Sequence, residues 1–287
     1  MKIRILAITH PGIERANNED AFIVCPDLDQ QEWTHVETPN YIPLGKYGAI
    51  MVVADGMGGA NAGEVASEIA VTSVRDVFTR EHVAEALDTD SCEKLIRKAV
   101  EYADEAINKR IWTDPSTSGM GTTIVVCWIV NNVAYVGWSG DSRGYVFNEN
   151  DGIKQLTKDH SLVQELIDKG EITEEEAFTH PDNNIITKGL GDVGSLPSPD
   201  VIKYPLQPDD IILLCSDGLC GYCSNKEIEG VLAKSNRNVK KCQRELMKLA
   251  LNAGGYDNIC IAIASLISEE RKRTFNEMLL RLKHLFR

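Results

Sequence analysis

The stretch that decides the fold is Ala49-Ile-Met-Val-Val-Ala-Asp55-Gly-Met-Gly-Gly59, an apolar run that ends in an aspartate and glycines. Apolar, β-branched residues bounded by turn residues are typical of a buried strand. An Asp-Gly pair after a strand is, by itself, usually a turn. The arrangement recurs at Asp217-Gly218, one residue past another apolar run. The repetition indicates more than two unrelated turns.

Similar apolar runs predict further strands along the chain. The predicted strands are 3–9, 21–25, 49–54, 122–130, 133–137, 145–148, 210–215 and 258–265. Helical spacing predicts helices at 62–80, 92–111, 162–169, 226–233 and 239–252. Strands therefore come in consecutive pairs with helix pairs between them, and Asn131-Asn132 is a hairpin signal. This order favours an α+β fold with antiparallel sheet over a doubly wound parallel sheet.

Composition sets limits on the class of protein. The chain has 287 residues, 43% of them apolar and 25% charged, which fits one large globular domain. No apolar run predicts a membrane span or a signal peptide. A net charge of −13 argues against a nucleic-acid partner. The eight cysteines lie mostly in apolar runs and are interpreted as buried free thiols, which predicts a cytoplasmic protein.

Two segments stand outside the strand and helix pattern. Residues 27–47 are polar with two prolines and predict a surface loop. Residues 267–287 form a second unit after the main domain, 1–266, because 269–287 has the spacing of a basic amphipathic helix. We expect this helix to pack on the domain; docking to a partner or a membrane surface is the alternative.

Five aspartates lie next to predicted strands. Asp55, Asp141 and Asp217 follow strands, whereas Asp20 and Asp257 precede them. In an antiparallel sheet, the end of one strand and the start of its neighbour lie at the same rim. Like charges brought together there need a neutralising cation, and Mg²⁺ or Mn²⁺ suits oxygen ligands. Taken singly, each aspartate is also explained as a turn, a cap or a surface charge.

Seven motifs occur in order and span nearly the whole chain. They are Arg15-Ala-Asn-Asn18-Glu19-Asp20, Val53-Ala-Asp55-Gly56-Met57-Gly58-Gly59, Gly119-Met-Gly121-Thr122-Thr123, Gly140-Asp141-Ser142-Arg143, Asp159-His160-Ser161, Ser216-Asp217-Gly218-Leu219 and Asp257-Asn258. Together they resemble the protein phosphatase 2C family, the metal-dependent PPM phosphatases, in its bacterial form. The resemblance implies a four-layer αββα sandwich, with two antiparallel sheets flanked by helix pairs, and a catalytic domain over 1–266.

The resemblance also implies a role for each site residue. Asp55 would bridge two metal ions, Mn²⁺ or Mg²⁺, and the carbonyl of Gly56 would bind one of them. Asp217 and Asp257 would complete the first ion. Glu19 or Asp20 would hold the second, Asp20 through water. Asp141 with Asp217 would hold a third, weaker ion, and Arg15 would bind the phosphate.

The implied activity is hydrolysis of phosphoserine and phosphothreonine by direct attack of a water that bridges the metals. Phosphoproteins would be the substrates, with serine/threonine kinases and their targets as partners. Three positions depart from the family pattern: Met57 where some relatives have histidine, Gly221 where many have aspartate, and Lys188 where arginine is frequent. Residues 161–188 would form the family's flap.

Other readings of the sequence stay open. A pseudophosphatase that binds phosphoproteins without turnover rests on Met57 and Gly221. A thiol redox protein rests on the Cys220-Gly-Tyr-Cys223 motif, which does not open a helix in a βαβ unit. We interpret His160 as a structural hydrogen-bonding residue and His180 as a loop residue.

Overall fold

Two antiparallel sheets stacked face to face form the centre of the protein. The computed structural model describes residues 1–35, 40–58, 62–191, 199–235 and 237–267. The strands found there are β1 (Lys2–His10), β2 (Asp20–Cys25), β3 (Ile42–Pro43), β4 (Ala49–Met57), β5 (Gly121–Thr122), β6 (Ile124–Val130), β7 (Val133–Ser139), β8 (Arg143–Asn148), β9 (Gly152–Gln155), β10 (Leu190–Gly191), β11 (Asp200–Pro205), β12 (Ile211–Cys215) and β13 (Ile259–Ile267).

Each sheet keeps strands that are distant in sequence side by side. Among the described residues, one sheet has six strands in the order β3-β1-β13-β12-β8-β9. The other has seven, in the order β10-β5-β4-β6-β7-β11 with β2 also paired to β4. Every strand pairing is antiparallel. The predicted antiparallel α+β architecture is confirmed.

Helices cover both outer faces. Those in the described residues are α1 (Ala62–Val77), α2 (Arg80–Glu85), α3 (Thr89–Thr113), α4 (Leu162–Asp168), α5 (Glu174–Phe178), α6 (Asp217–Cys220), α7 (Asn225–Lys234) and α8 (Val239–Asn252). Helices α1 and α3 pack against the seven-stranded sheet, and α8 packs against β1 and β13 of the other. The layers are therefore helix, sheet, sheet, helix, as the family resemblance implies.

The hydrophobic core has three parts that follow these layers. One lies between the sheets, one under α1 and α3, and one under α6, α7 and α8. All seven residues of β6 are buried, because both faces of this central strand are covered. Trp128 packs edge-on against Phe78 with ring centroids 5.2 Å apart. The centre of the sandwich is therefore buried and packed on both faces of its sheets.

The hairpin between β6 and β7 turns at Asn131 and Asn132, as predicted. Their φ angles are 52° and 61°, the left-handed conformation that a two-residue hairpin turn requires. The predicted helix at 62–80 is shorter, because Thr79 caps α2 by accepting a hydrogen bond from the His82 amide. The predicted strand at 122–130 divides at Thr123 into β5 and β6.

The prediction of a surface loop over 27–47 is only partly right. Leu28 is fully buried and Tyr47 is 8% exposed. The Tyr47 carbonyl accepts a hydrogen bond of 2.8 Å from the Trp128 indole, and β3 pairs with β1. Buried polar groups need such partners, which fixes the ends of the segment in the fold.

The last strand, β13, extends to Ile267, so this first residue of the predicted C-terminal unit belongs to the sheet. The basic helix predicted beyond it lies outside the described residues. In the part of the chain that the structure covers, no helix has the length and apolar character needed to cross a membrane.

Candidate functional site

The predicted aspartates meet at one edge of the sandwich, where the two sheets lie against each other. We call this edge the carboxylate rim, or the rim. Asp20 on β2 and Asp55 on β4 stand opposite each other in the strand register. Asp141 follows β7 of the same sheet, whereas Asp217 and Asp257 flank β12 and β13 of the other. Burial raises the pKa of Asp55, and the charges of Asp20, Asp217 and Asp141 raise it further. The site is thus shared between the sheets.

Asp20 is held by a serine from the opposite sheet. The Ser216 hydroxyl donates to Asp20 Oδ2 at 2.7 Å and accepts from the Cys260 amide at 2.8 Å. Ser216 is fully buried and Asp20 is 6% exposed. The other oxygen of Asp20, Oδ1, has no hydrogen-bond partner. A buried carboxylate oxygen without a partner is unfavourable unless a cation or water binds it.

The backbone around Asp55 is fixed by two threonines. The Asp55 amide donates to Thr123 Oγ1 at 3.1 Å, and its carbonyl accepts from Thr122 Oγ1 at 2.8 Å. Gly56 comes next, and a Cβ there would lie 2.2 Å from the Gly63 carbonyl oxygen. Only glycine fits this close approach of β4 to the first turn of α1. The backbone carbonyls at this rim are therefore held in place.

Asp141 and Asp217 also carry unpaired oxygens. Oδ1 of each is buried without a hydrogen-bond partner. Asp217 is the first residue of α6, directly after the N-cap Ser216. Burial is the main cause that raises the pKa of Asp217 to about 6, and the charge of Asp257 adds to it. Burial likewise raises the pKa of Asp141, to which Asp217 contributes.

Arg15 and Asp257 form an ion pair at the outer edge of the rim. Arg15 Nη2 lies 2.8 Å from Asp257 Oδ2, and the arginine side chain is 57% exposed. The pair brings together a predicted phosphate ligand and a predicted metal ligand. More than half of the arginine side chain faces solvent.

Asn258 fastens the loop that carries Glu19 to this edge. Its Oδ1 accepts from the Glu19 amide at 2.7 Å, and its Nδ2 donates to the carbonyls of Pro11 and Asn17 at 2.9 and 2.8 Å. Burial raises the pKa of the Glu19 carboxyl, and the charge of Arg15 opposes this effect. The loop and strand β13 therefore hold one fixed arrangement.

The donor set fits hard divalent cations. It consists of carboxylate oxygens, three of them buried without partners, next to fixed backbone carbonyls. Burial also raises the pKa of Asp20 and Asp55, and neighbouring carboxylates add to the effect, which a bound cation would reverse. Within the described ranges, no three acidic, histidine or cysteine side chains already form a complete ligand set. Water, a carbonyl or a side-chain rotation would have to complete one.

A second layer of contacts supports Asp141. Arg143 binds the carboxylate of Asp159 through Nε at 2.9 and 3.0 Å and through Nη2 at 2.7 Å. His160 Nδ1 accepts from the Gly140 amide at 3.1 Å, and its Nε2 lies 3.0 Å from Asp200. His160 is therefore the structural hydrogen-bonding residue that we predicted.

A cleft of about 760 Å³ opens beside Asp141 and Asp217. Gly221 and residues of α4 and α5 line it. These two helices occupy the segment 161–188 that the resemblance assigns to a flap. The Ser161 to Ile186 bridge closes its base.

The Cys220 and Cys223 pair does not support a redox site. Both thiols are free and buried, like the other cysteines. Burial raises the pKa of Cys223 to about 12, and Cys215 together with burial raises that of Cys220. A reactive thiol needs a lowered pKa and access to solvent. The interpretation of these cysteines as buried free thiols is therefore supported.

Sequence reasoning gave no role to Ser216, Asn258 or Thr123. All three belong to the quoted motifs, and each is next to a predicted ligand or a glycine turn. For Ser216 and Asn258, the position beside Asp217 and Asp257 was the available signal, whereas Thr123 has no aspartate next to it in the sequence. Their partners lie on other strands and loops, so only the fold shows the contacts.

Comparison with known proteins agrees with this arrangement. The model of the family described as "Protein phosphatase 2C" matches residues 42–253. The serine/threonine phosphatase stp of Listeria welshimeri is 37% identical over 214 residues, which cover 75% of this chain and 83% of that protein.

Solved structures share the fold. The Streptococcus agalactiae serine/threonine phosphatase superposes with a TM-score of 0.77 at 31% identity, over 93% of this chain and 100% of that one. The catalytic domain of the serine/threonine phosphatase PstP, in complex with two manganese ions, gives a TM-score of 0.73 at 29% identity, over 93% and 99% of the chains.

Proposed function

Because the chain belongs to the protein phosphatase 2C family, it is a protein serine/threonine phosphatase, and we propose that it depends on divalent cations held at the carboxylate rim. Phosphoproteins are its substrates. We further propose that these include targets of serine/threonine kinases. Mn²⁺ and Mg²⁺ both suit the oxygen donors, and a related structure contains two manganese ions.

The observation that carries the proposal is the group of buried carboxylate oxygens without partners. Asp20, Asp141 and Asp217 each present one such oxygen. Desolvated carboxylates that repel one another destabilise a fold unless a cation compensates them. Cation binding explains why these carboxylates lie together at one rim.

We assign two cations to this rim. Asp55 would contact both, the Gly56 carbonyl one of them, and Asp217 with Asp257 would complete the first. Asp20 or Glu19 would hold the second. When bound, such a pair supplies an ionised water for in-line attack on phosphorus and offsets charge growing on the phosphoryl oxygens.

Arg15 is proposed to bind and orient the phosphate. Its guanidinium is mostly exposed and is already anchored at the rim by Asp257. The planar fork of arginine matches two phosphate oxygens. Met57 is the last residue of β4, and its side chain has no proton to offer to the leaving hydroxyl. We therefore assign that proton transfer to water rather than to a side chain.

A third, weaker cation is proposed between Asp141 and Asp217. Gly221 closes α6 four residues after Asp217 and supplies no carboxylate. A Cβ at this position would lie 2.8 Å from the Asp217 carbonyl oxygen. The third position therefore has fewer ligands than the first two.

The test is phosphate release from a phosphothreonine peptide, with titration calorimetry of Mn²⁺ on the same samples. We expect activity with Mn²⁺, none with EDTA, and loss of both activity and tight Mn²⁺ binding in Asp217→Asn. Asp151→Asn, an exposed turn residue, is the matched control and should behave as wild type. Activity that survives EDTA and the Asp217 substitution would refute the proposal.

A further inference from the structure

A strongly basic groove lies on the six-stranded sheet, outside the carboxylate rim. We call it the basic groove; it is lined by Arg4, Ile8, Asn238, Lys240, Lys241, Gln243, Arg244, Met247 and Lys248 and has a volume of about 730 Å³. Five of these nine residues are basic and none is acidic. In a chain with a net charge of −13, such a concentration of cations is unexpected.

The groove runs between helix α8 and strand β1. Lys240, Arg244 and Lys248 are all exposed and follow one another at four-residue spacing, so they form one stripe along α8. The stripe is about 12 Å long at 1.5 Å per residue. On β1, Arg4 and Ile8 share the face of Leu6, which is buried beneath the helices. Ile8 and Met247 give the groove an apolar component.

Two of the basic side chains in this stripe share one acidic partner. Arg244 and Lys248 share a single carboxylate, Glu245, at 3.0 and 3.3 Å. The Lys241 amine donates to the Lys234 carbonyl at 2.8 Å, a neutral partner. The groove therefore attracts anions in a protein that otherwise repels them.

We propose that the basic groove binds an acidic segment of a phosphoprotein substrate while the phosphorylated residue of that substrate occupies the rim. The inference rests on the proposed function. An acidic peptide with an apolar residue matches both the cations and the exposed Ile8. A concave groove suits a peptide better than it suits a flat lipid surface.

The C-terminal segment of this chain is a poor occupant because its charge has the same sign. Residues 268–287 contain six arginines and lysines against three glutamates. Bringing that segment into the groove would place like charges together. An acidic partner is therefore favoured over the chain's own tail.

The position of the groove allows one substrate to occupy both sites. Ile8 pairs with Ile261, and two residues further along β1 His10 pairs with Ile259. Two strand residues span about 7 Å. Asp257, at the rim, lies two residues before Ile259. A bound segment would thus raise the effective concentration of the phosphorylated residue at the rim.

The test compares two phosphothreonine peptides with the same core, one extended by an Asp/Glu-rich segment and one by Asn/Gln. Full-length wild type is compared with Lys240→Gln/Arg244→Gln/Lys248→Gln. The control is Lys94→Gln/Lys98→Gln/Lys109→Gln, which removes three exposed cations of α3. We expect the acidic extension to lower KM about tenfold in wild type and in the control. The groove variant should lose this advantage, with kcat unchanged.

Two further measurements separate the groove from catalysis. Hydrolysis of p-nitrophenyl phosphate with Mn²⁺ should be equal in all three proteins, and its absence from wild type would count against the proposed function alone. Fluorescence anisotropy of the acidic peptide without phosphate should show binding that only the groove variant loses. If wild type has the same KM for the two peptides, the inference is overturned. Cosedimentation with phosphatidylserine vesicles through these residues when no peptide binds also overturns it.

Discussion

Replacing Asp217 by asparagine should make the cation-free protein more stable while it abolishes activity. The folded pKa of Asp217 is raised from 3.8 to about 6, mainly by burial. A carboxyl with a raised folded pKa stabilises the fold below pH 3.8 and loses this effect as the pH rises through about 6. At pH 7.5 the difference corresponds to at most about 3 kcal/mol.

The asparagine variant keeps the shape of the side chain and removes this penalty. We expect its free energy of unfolding to rise by about 1 to 3 kcal/mol in EDTA at pH 7.5, since the neutral amide can also make hydrogen bonds in the buried site. For a domain of this size, the melting temperature rises about 2–4 °C for each kcal/mol. The gain should fall to roughly half when the pH falls to 5, and it should disappear below pH 3.8, where the wild-type carboxyl carries a proton in both the folded and the unfolded state.

The assay is thermal unfolding followed by circular dichroism, in EDTA and in excess Mn²⁺, at pH 5 and 7.5. Mn²⁺ should reverse the order of stability, because wild type gains binding free energy that the variant lacks. Asp151→Asn should match wild type in every condition. A variant that melts below wild type in EDTA at pH 7.5 would show that Asp217 is not under electrostatic strain.

The structure makes three further predictions. Asn258→Ala should lower the free energy of unfolding by about 1 to 3 kcal/mol in urea titrations and raise KM, because it releases the Glu19 loop; a change in kcat alone would contradict this. Arg143→Met should lower stability by about 3 kcal/mol, since Asp159, whose side chain is 9% exposed, loses its charged partner; a neutral result in urea would refute it. Native protein should resist thiol alkylation at pH 8, because burial raises the pKa of Cys223 to about 12; mass spectrometry before and after unfolding checks this.

The sequence predicted the parts of the fold that depend on strong local patterns. Fully buried strands such as β6 are continuous apolar runs, and the Asn131-Asn132 turn has its own signature. Edge strands have neither. Strand β11 has only exposed and half-buried positions and ends in proline, and the four residues of β9 include no buried one. Their strand geometry comes from pairing with β7 and β8 rather than from local preference.

The site was predictable to the same degree. The placement of Asp20, Asp55 and Asp217 beside strands predicted that they meet at a rim, and they do. The ion pair of Arg15 with Asp257 joins residues 242 apart in sequence, and the Ser216 to Asp20 hydrogen bond joins residues 196 apart. No local pattern encodes such contacts, because they depend on how the two sheets stack.

That stacking gives the rim a sensitivity that its own residues do not reveal. Asp20, Asp55 and Asp141 belong to one sheet, whereas Asp217 and Asp257 belong to the other. Cation affinity should then depend on how the two sheets are aligned. A substitution in the core between them, far from any ligand, that slides one sheet by a fraction of an ångström should weaken cation binding. Conversely, an excess of cation should rescue such a core variant by holding the two sheets in register.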